Sequence, residues 1–178
     1  MSESAAKEIL TFWLIPAEPA RSYFQDLIHD FATRFDAPIF EPHVTLYVTD
    51  SDGEDAVGLL KRVVAGAKRC RLAIAGVGHS QKFTKTLFVQ FGTDKGIAAL
   101  SAKFCAASKS QMDYEINPHL SLIYKELPAA EKAAIAAGLS IPFRDIVFDA
   151  VKAVISPAKI KSRGAVEAWR VVAEAKLK

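Results

Sequence analysis

Cysteine is scarce in this chain of 178 residues, which contains only Cys70 and Cys105. Two cysteines cannot form the dense disulfide framework of a small secreted domain, and we expect both to be reduced and structural. The first eight residues lack a basic segment followed by an apolar core, so we expect no secretory signal. Because no apolar run reaches the length of a membrane span, we predict a cytoplasmic protein with no membrane attachment.

An excess of one charge is also missing, since the formal net charge at pH 7 is only +3. Extensive nucleic-acid binding normally requires a strongly basic face, and no dense run of lysine and arginine is present. A small anionic ligand remains compatible with this charge.

The chain also lacks linkers, and its length is enough for one domain with a preorganised site. We therefore predict a single two-lobed domain over residues 1–178, present as a monomer.

Two short segments of the chain are nearly identical: Pro42-His43-Val44-Thr45-Leu46 and Pro118-His119-Leu120-Ser121-Leu122. The two histidines are 76 positions apart, a spacing typical of a duplicated half-domain. Side chains alternate between faces in a strand, so each segment places its histidine and its hydroxyl residue on one face. The intervening apolar residues then lie on the buried face. The repeat therefore predicts two imidazoles and two hydroxyls around one cavity.

Those residue types suit the hydrolysis of a phosphodiester. One histidine can accept a proton from water while the other donates one to the leaving alkoxide. Thr45 and Ser121 can bind the non-bridging phosphate oxygens. A metal is not expected, because a catalytic zinc usually has three protein ligands and no HExxH motif, Cys-His cluster or Asp-rich run lies near either histidine. The other two histidines, His29 and His79, have no repeated partner and are interpreted as structural.

The repeat and several other segments resemble the two-histidine phosphoesterases, and among them the cyclic phosphodiesterases of plant type. The segments that carry the resemblance are Phe12 to Pro16, Phe40 to Thr45, Thr84 to Gln90, Pro118 to Tyr124 and Val166 to Trp169. The resemblance implies an α+β, bilobal, duplicated fold in which two antiparallel sheets line a central cleft, with helices outside and pseudo-twofold symmetry. It also implies an enzyme without a cofactor that opens ADP-ribose 1″,2″-cyclic phosphate and, less selectively, nucleoside 2′,3′-cyclic phosphates.

The same resemblance implies roles for individual residues. His43 and His119 would be catalytic, with His119 activating water and His43 protonating the leaving ribose oxygen. Tyr124 would lie beside the phosphate, although simple strand alternation from Ser121 points it to the opposite face unless the strand bends or ends. Residue chemistry, and not the resemblance, adds two candidates for substrate binding: Trp13 could stack on a base, with core packing as the favoured alternative, and Lys85 could contact a distal phosphate, with a solvated surface position as the favoured alternative. The segment between Ala75 and Thr84 is longer and more basic than in the plant pattern, which leaves the leaving-group specificity open.

Hydrophobic periodicity predicts a duplicated α/β order. The expected strands are 9–15, 43–48, 71–75, 86–91, 119–124, 143–156 and 166–175. The expected helices are 18–35, 54–68, 94–108 and 129–137. Asp94 is placed to cap the third helix.

Two other functions stay open at this stage. One is an RNA-processing enzyme of the same superfamily that acts on RNA 3′ ends with 2′,3′-cyclic or 2′-5′ linked termini, which would need a basic track for several phosphates. The other is a nucleotide-binding module without turnover, which has no need for two symmetrically placed titratable groups. A cyclic phosphodiesterase acting on a small-molecule cyclic phosphate is the function that the residues favour.

Overall fold

A computed structural model describes residues 7–178 of the chain. The strands are β1 (Glu8–Pro16), β2 (Val44–Asp50), β3 (Cys70–His79), β4 (Leu87–Phe91), β5 (His119–Ile123), β6 (Asp145–Pro157) and β7 (Arg170–Lys176). The helices are α1 (Ala20–Phe35), α2 (Ala56–Val64), α3 (Lys95–Ala107), α4 (Ala129–Gly138) and α5 (Arg163–Glu167), with a 3₁₀ turn at Phe83–Lys85. No helix in this part of the chain is long and apolar enough to cross a membrane.

The strands form one antiparallel sheet in the order β1-β2-β5-β4-β3-β6-β7, and β1 also pairs with β6. Strand β6 is the longest and connects the two halves of the molecule, since its first residues pair with β3 and its remainder pairs with β1. The two expected sheets are thus two halves of one hydrogen-bonded sheet. The other junction is a single pairing of Val44 in β2 with Leu120 in β5.

That junction lies on the pseudo-twofold axis, because Val44 and Leu120 are equivalent positions of the two motifs. Two consecutive β-α-β-α-β units follow from the order β1-α1-β2-α2-β3 and β4-α3-β5-α4-β6. The first strand of each unit pairs with the last strand of the other unit, since β1 pairs with β6 and β4 pairs with β3. Helix α1 packs on β5 and α3 packs on β2 in the same reciprocal way. The fold is α+β, bilobal and duplicated, which confirms the predicted fold class.

Local signals account for most of the elements. Asp94 caps α3 by accepting a hydrogen bond from the Ile97 amide at 2.8 Å, as predicted. Within β2, Val44 and Leu46 are fully buried in the main core.

Cys70 begins β3 and Cys105 lies in α3, and both are free thiols. Burial raises the pKa of the Cys70 thiol to about 11, which makes it a poor nucleophile.

Two of the expected strands were wrong, and the second helix ends at Val64 and not at residue 68. Strand β3 continues to His79, whereas the sequence predicts a strand that ends at residue 75 and a connecting loop that contains the glycines. Gly78 is needed for close packing, because a Cβ at that position would lie 2.7 Å from the Phe88 ring. Val166 lies in α5 and not in a strand, since the Ser162 hydroxyl accepts from the Ala165 amide and starts a short helix there. The final strand begins only at Arg170.

Candidate active site

The two motifs open onto one cavity of about 200 Å³ between the halves of the sheet. Both histidines line it, together with Thr45 and Tyr124. The other lining residues are Ile9, Thr11, Trp13, Val48, Thr84, Tyr114, Ser156, Ile160 and Trp169. Two sequence candidates, Ser121 and Lys85, lie outside this set.

Each histidine is held by a backbone carbonyl two residues earlier in the chain. Nδ1 of His43 is 2.7 Å from the carbonyl oxygen of Glu41, and Nδ1 of His119 is 2.8 Å from that of Asn117. A carbonyl oxygen can only accept a hydrogen bond, so each Nδ1 carries the proton in the neutral ring. Nε2 of each ring is therefore the nitrogen with a free lone pair. Both rings are in the tautomer that a base needs, and protonation at Nε2 converts either into an acid.

The two rings have different surroundings. His43 is 7% exposed, and its ring stacks face to face on Trp13 with centroids 3.8 Å apart. The pKa of His43 is lowered to about 4, mainly by burial; the hydrogen bond to the Glu41 carbonyl opposes this shift and the charge of His119 adds to it. Burial also lowers the pKa of His119, which contacts the Phe88 ring edge-on. Both rings are thus neutral at pH 7 in the absence of a ligand.

The two hydroxyls are also unequal. Thr45 lines the cavity directly. Ser121 is buried, and its hydroxyl donates a 2.9 Å hydrogen bond to the carbonyl of Thr84. That carbonyl belongs to the 3₁₀ turn that follows β3, so Ser121 joins the motif to this turn. An incoming phosphate oxygen would have to compete with the Thr84 carbonyl for the Ser121 proton.

Tyr124 reaches the cavity because β5 ends at Ile123, which releases the next residue from strand alternation. Its ring packs edge-on against Phe40 and Trp169. Burial raises the pKa of Tyr124 to about 12, while contact with the Ser121 hydroxyl acts in the opposite direction. The phenol therefore stays protonated at neutral pH and can donate a hydrogen bond.

The other two candidates have different environments. Trp13 is 5% exposed, and His43 covers one face of its indole while Trp169 meets it edge-on. The indole therefore supports the His43 ring. Lys85 places Nζ 4.3 Å from the centre of the Phe88 ring and 3.4 Å from Oε1 of Gln90. Its positive charge lowers the pKa of His119, so it acts on the site electrostatically from outside the lining.

Sequence reasoning missed several residues of the cavity. Thr11 shares a strand face with Trp13 by alternation, a signal that could have identified it. Tyr114 and Ser156 come from segments with no motif of their own, and only the fold brings them to the site, whereas Thr84 begins a segment that carries the family resemblance.

Fold and site together define a class of enzyme. Two equivalent histidines, each with a hydroxyl residue two positions later, line one cavity at the junction of a duplicated sheet, which is the arrangement of the two-histidine phosphoesterases. The family model described as cyclic phosphodiesterase-like protein matches residues 9–177. The chain belongs to this family and is a phosphodiesterase.

Individual relatives agree with that assignment. A cyclic phosphodiesterase of Arabidopsis thaliana is 26% identical over 136 residues, covering 73% of this chain and 72% of the relative. The crystal structure of TT0787 of Thermus thermophilus matches with a TM-score of 0.61 at 16% identity, covering 95% of this chain and 97% of that one. E. coli LigT complexed with 3′-AMP matches with a TM-score of 0.55 at 12% identity, covering 96% and 98%.

Proposed function

We propose that this protein hydrolyses ADP-ribose 1″,2″-cyclic phosphate, nucleoside 2′,3′-cyclic phosphates, or both, to the monophosphate without a metal ion. The proposal depends chiefly on the two imidazoles, which line one cavity and share the same Nδ1-to-carbonyl arrangement. The Arabidopsis relative is named a cyclic phosphodiesterase. LigT, which shares the fold, has been crystallised with 3′-AMP, ATP and NADP⁺. Its fold can therefore accommodate small nucleotides.

The reaction needs one base and one acid. A water oxygen attacks phosphorus as its proton passes to Nε2 of the basic histidine, and the bond from phosphorus to one ribose oxygen breaks. That oxygen takes a proton from Nε2 of the acidic histidine and leaves as a hydroxyl, so the product is a monoester on the other ribose oxygen. Thr45 and Ser121 donate to the non-bridging oxygens and stabilise the charge that develops there.

We assign water activation to His119 and protonation of the leaving oxygen to His43. The Tyr124 phenol lies beside Ser121, and Ser121 belongs to the same motif as His119. Tyr124 can therefore orient the attacking water on the side of His119. His43 must be protonated to act as the acid, which its burial opposes in the free protein. A bound phosphate anion offsets that effect, because charges interact most strongly where the surroundings exclude water.

The pH profile of kcat/KM should have its optimum at an acidic pH. This parameter reports the free enzyme, in which burial lowers the pKa of His43 to about 4 and the pKa of His119 below 6.5. The rate falls at low pH because the base becomes protonated, and it falls at high pH because the acid loses its proton. The optimum is therefore expected between about 4 and 6.5, with two apparent pKa values that belong to the pair. A kcat/KM optimum above 6.5 would contradict the burial of the two rings.

A panel of substrates in EDTA tests the proposed function directly. The protein is incubated with ADP-ribose 1″,2″-cyclic phosphate, the four nucleoside 2′,3′-cyclic phosphates and an oligonucleotide with a cyclic end, and the products are identified. We expect turnover of the small cyclic phosphates. Preference for the oligonucleotide would instead assign the protein to RNA-end processing.

Activity is expected to survive the chelator. Within residues 7–178 there is no group of three His, Cys, Asp or Glu side chains suited to hold a metal ion. The control is a variant with both His43→Ala and His119→Ala, whose residual rate measures any contaminating phosphodiesterase. Loss of activity in EDTA that a divalent ion restores would exclude the two-histidine mechanism.

A further inference from the structure

The carbonyls that hold the two histidines belong to segments without regular secondary structure. Residues 37–43 precede β2, and residues 109–118 precede β5. A catalytic ring needs a fixed position, because a displacement of about 1 Å can cost on the order of 100-fold in rate. The structure must therefore immobilise both segments through side chains.

The Glu41 carboxylate immobilises the first segment. Lys152 in β6 donates to both Glu41 oxygens at 2.7 Å, and Arg21 in α1 donates to one of them at 2.7 Å. Lys152 is 9% exposed, so the lysine end of this ion pair is shielded from solvent, while the Glu41 carboxylate is partly exposed. In addition, Gln25 donates to the carbonyl of Phe40 at 3.0 Å. Glu41 is thus held at its carboxylate while its carbonyl holds His43.

A neutral counterpart holds the second segment. Gln90 lies opposite His119 in the pairing of β4 with β5. Its side-chain amide donates to Oδ1 of Asn117 at 2.9 Å and to the carbonyl of Pro118 at 2.8 Å. Asn117 is thus held by its side chain while its carbonyl holds His119. The two histidines share one arrangement, built from an ion pair on one side and from amides on the other.

We propose that Lys152 with Glu41, and Gln90 with Asn117, are positioning pairs, each of which acts on one histidine only. Each pair fixes the carbonyl that keeps Nδ1 protonated and Nε2 directed to the substrate. None of these side chains is needed to touch the phosphate. The inference depends on the proposed two-histidine function.

The test measures kcat on two substrates and compares the variant of each positioning pair with the alanine variant of the histidine that the pair holds. One substrate is a nucleoside 2′,3′-cyclic phosphate, and the other is an aryl phosphodiester whose phenolate leaves without a proton. The first variant combines Glu41→Gln with Lys152→Met, because removing one charge alone would leave Glu41 with only Arg21, or Lys152 with only Glu174 at 3.7 Å. The second is Gln90→Met, which keeps the side-chain length and removes the donors. Asp145→Asn with Arg71→Met is the matched control, since it neutralises another ion pair of β6 that does not touch either segment.

We expect each positioning variant to lose about tenfold to a hundredfold in kcat with little change in KM. For each positioning variant, the ratio of kcat on the two substrates should match the ratio measured for the alanine variant of the histidine that the pair positions. The Glu41→Gln/Lys152→Met variant should therefore behave like His43→Ala, and Gln90→Met like His119→Ala. Lys152→Arg should retain most of the activity because it preserves the ion pair, and the Asp145→Asn/Arg71→Met control should behave as the wild type.

Ring ¹⁵N spectra provide a second measurement. We expect the Nδ1-protonated form of His43 in the wild type and a mixture of tautomers in the Glu41→Gln/Lys152→Met variant, with His119 unchanged. The inference is overturned if both variants keep the wild-type kcat, or if the Glu41→Gln/Lys152→Met variant loses rate equally on both substrates. It is also overturned if a positioning variant shows the substrate ratio of the alanine variant of the other histidine. Full activity of His43→Ala and His119→Ala would instead overturn the proposed function itself.

Discussion

His43→Ala and His119→Ala should each lower kcat/KM by at least ~100-fold, because each substitution removes a group that transfers a proton in the transition state. The loss should appear with any natural substrate, since the alkoxide that leaves a ribose needs a proton. His29→Ala is the control, because His29 is exposed on α1, away from the cavity. Near-ultraviolet circular dichroism of each variant checks that the fold is retained.

An activated leaving group separates the roles of the two histidines. With an aryl phosphodiester the leaving phenolate needs no proton, so the acid becomes dispensable while the base does not. By our assignment, His43→Ala recovers much of its lost rate on this substrate and His119→Ala does not. The reverse pattern would exchange the two roles and leave the mechanism intact. Wild-type rates in both variants on both substrates would exclude the mechanism.

Thr45→Ala and Ser121→Ala should each lower kcat/KM by roughly tenfold to a thousandfold, the effect of losing one donor that stabilises charge in the transition state. Thr45→Ser and Ser121→Thr keep the hydroxyl and are the matched controls. Rescue by these variants would separate the loss of the donor from the loss of packing. If both alanine variants retained the wild-type kcat/KM, neither hydroxyl would bind phosphate.

Stability should distinguish the two alanine variants. Removing the Ser121 hydroxyl breaks its hydrogen bond to the Thr84 carbonyl, which typically costs about 1 kcal/mol of unfolding free energy. We expect this loss in urea unfolding of Ser121→Ala, and a smaller change for Thr45→Ala. An equal loss in both variants would mean that the Ser121 to Thr84 bond contributes little.

The motif strands show how far local rules reach. In β2 the period of two places Val44 and Leu46 in the core, and Thr45 at the cavity with His43. Alternation fails for Tyr124, because where β5 ends depends on pairing with β4 and on the turn after β3. A different local rule, that glycines mark a loop, fails in β3, because the strand continues to His79 and Gly78 leaves room for the Phe88 ring of a neighbouring strand.

The sequence by itself determined which two histidines and which two hydroxyl residues are paired, because the duplication repeats them in one local pattern and strand geometry assigns their faces. Tertiary structure decided everything that makes the two histidines unequal. Stacking on Trp13, burial of His43 and the Lys152 to Glu41 ion pair join residues that are far apart in sequence, 111 positions in the last case. No local pattern records such contacts, because they exist only when β1, β2 and β6 have come together, and they set the pKa values and ring positions on which the chemistry depends.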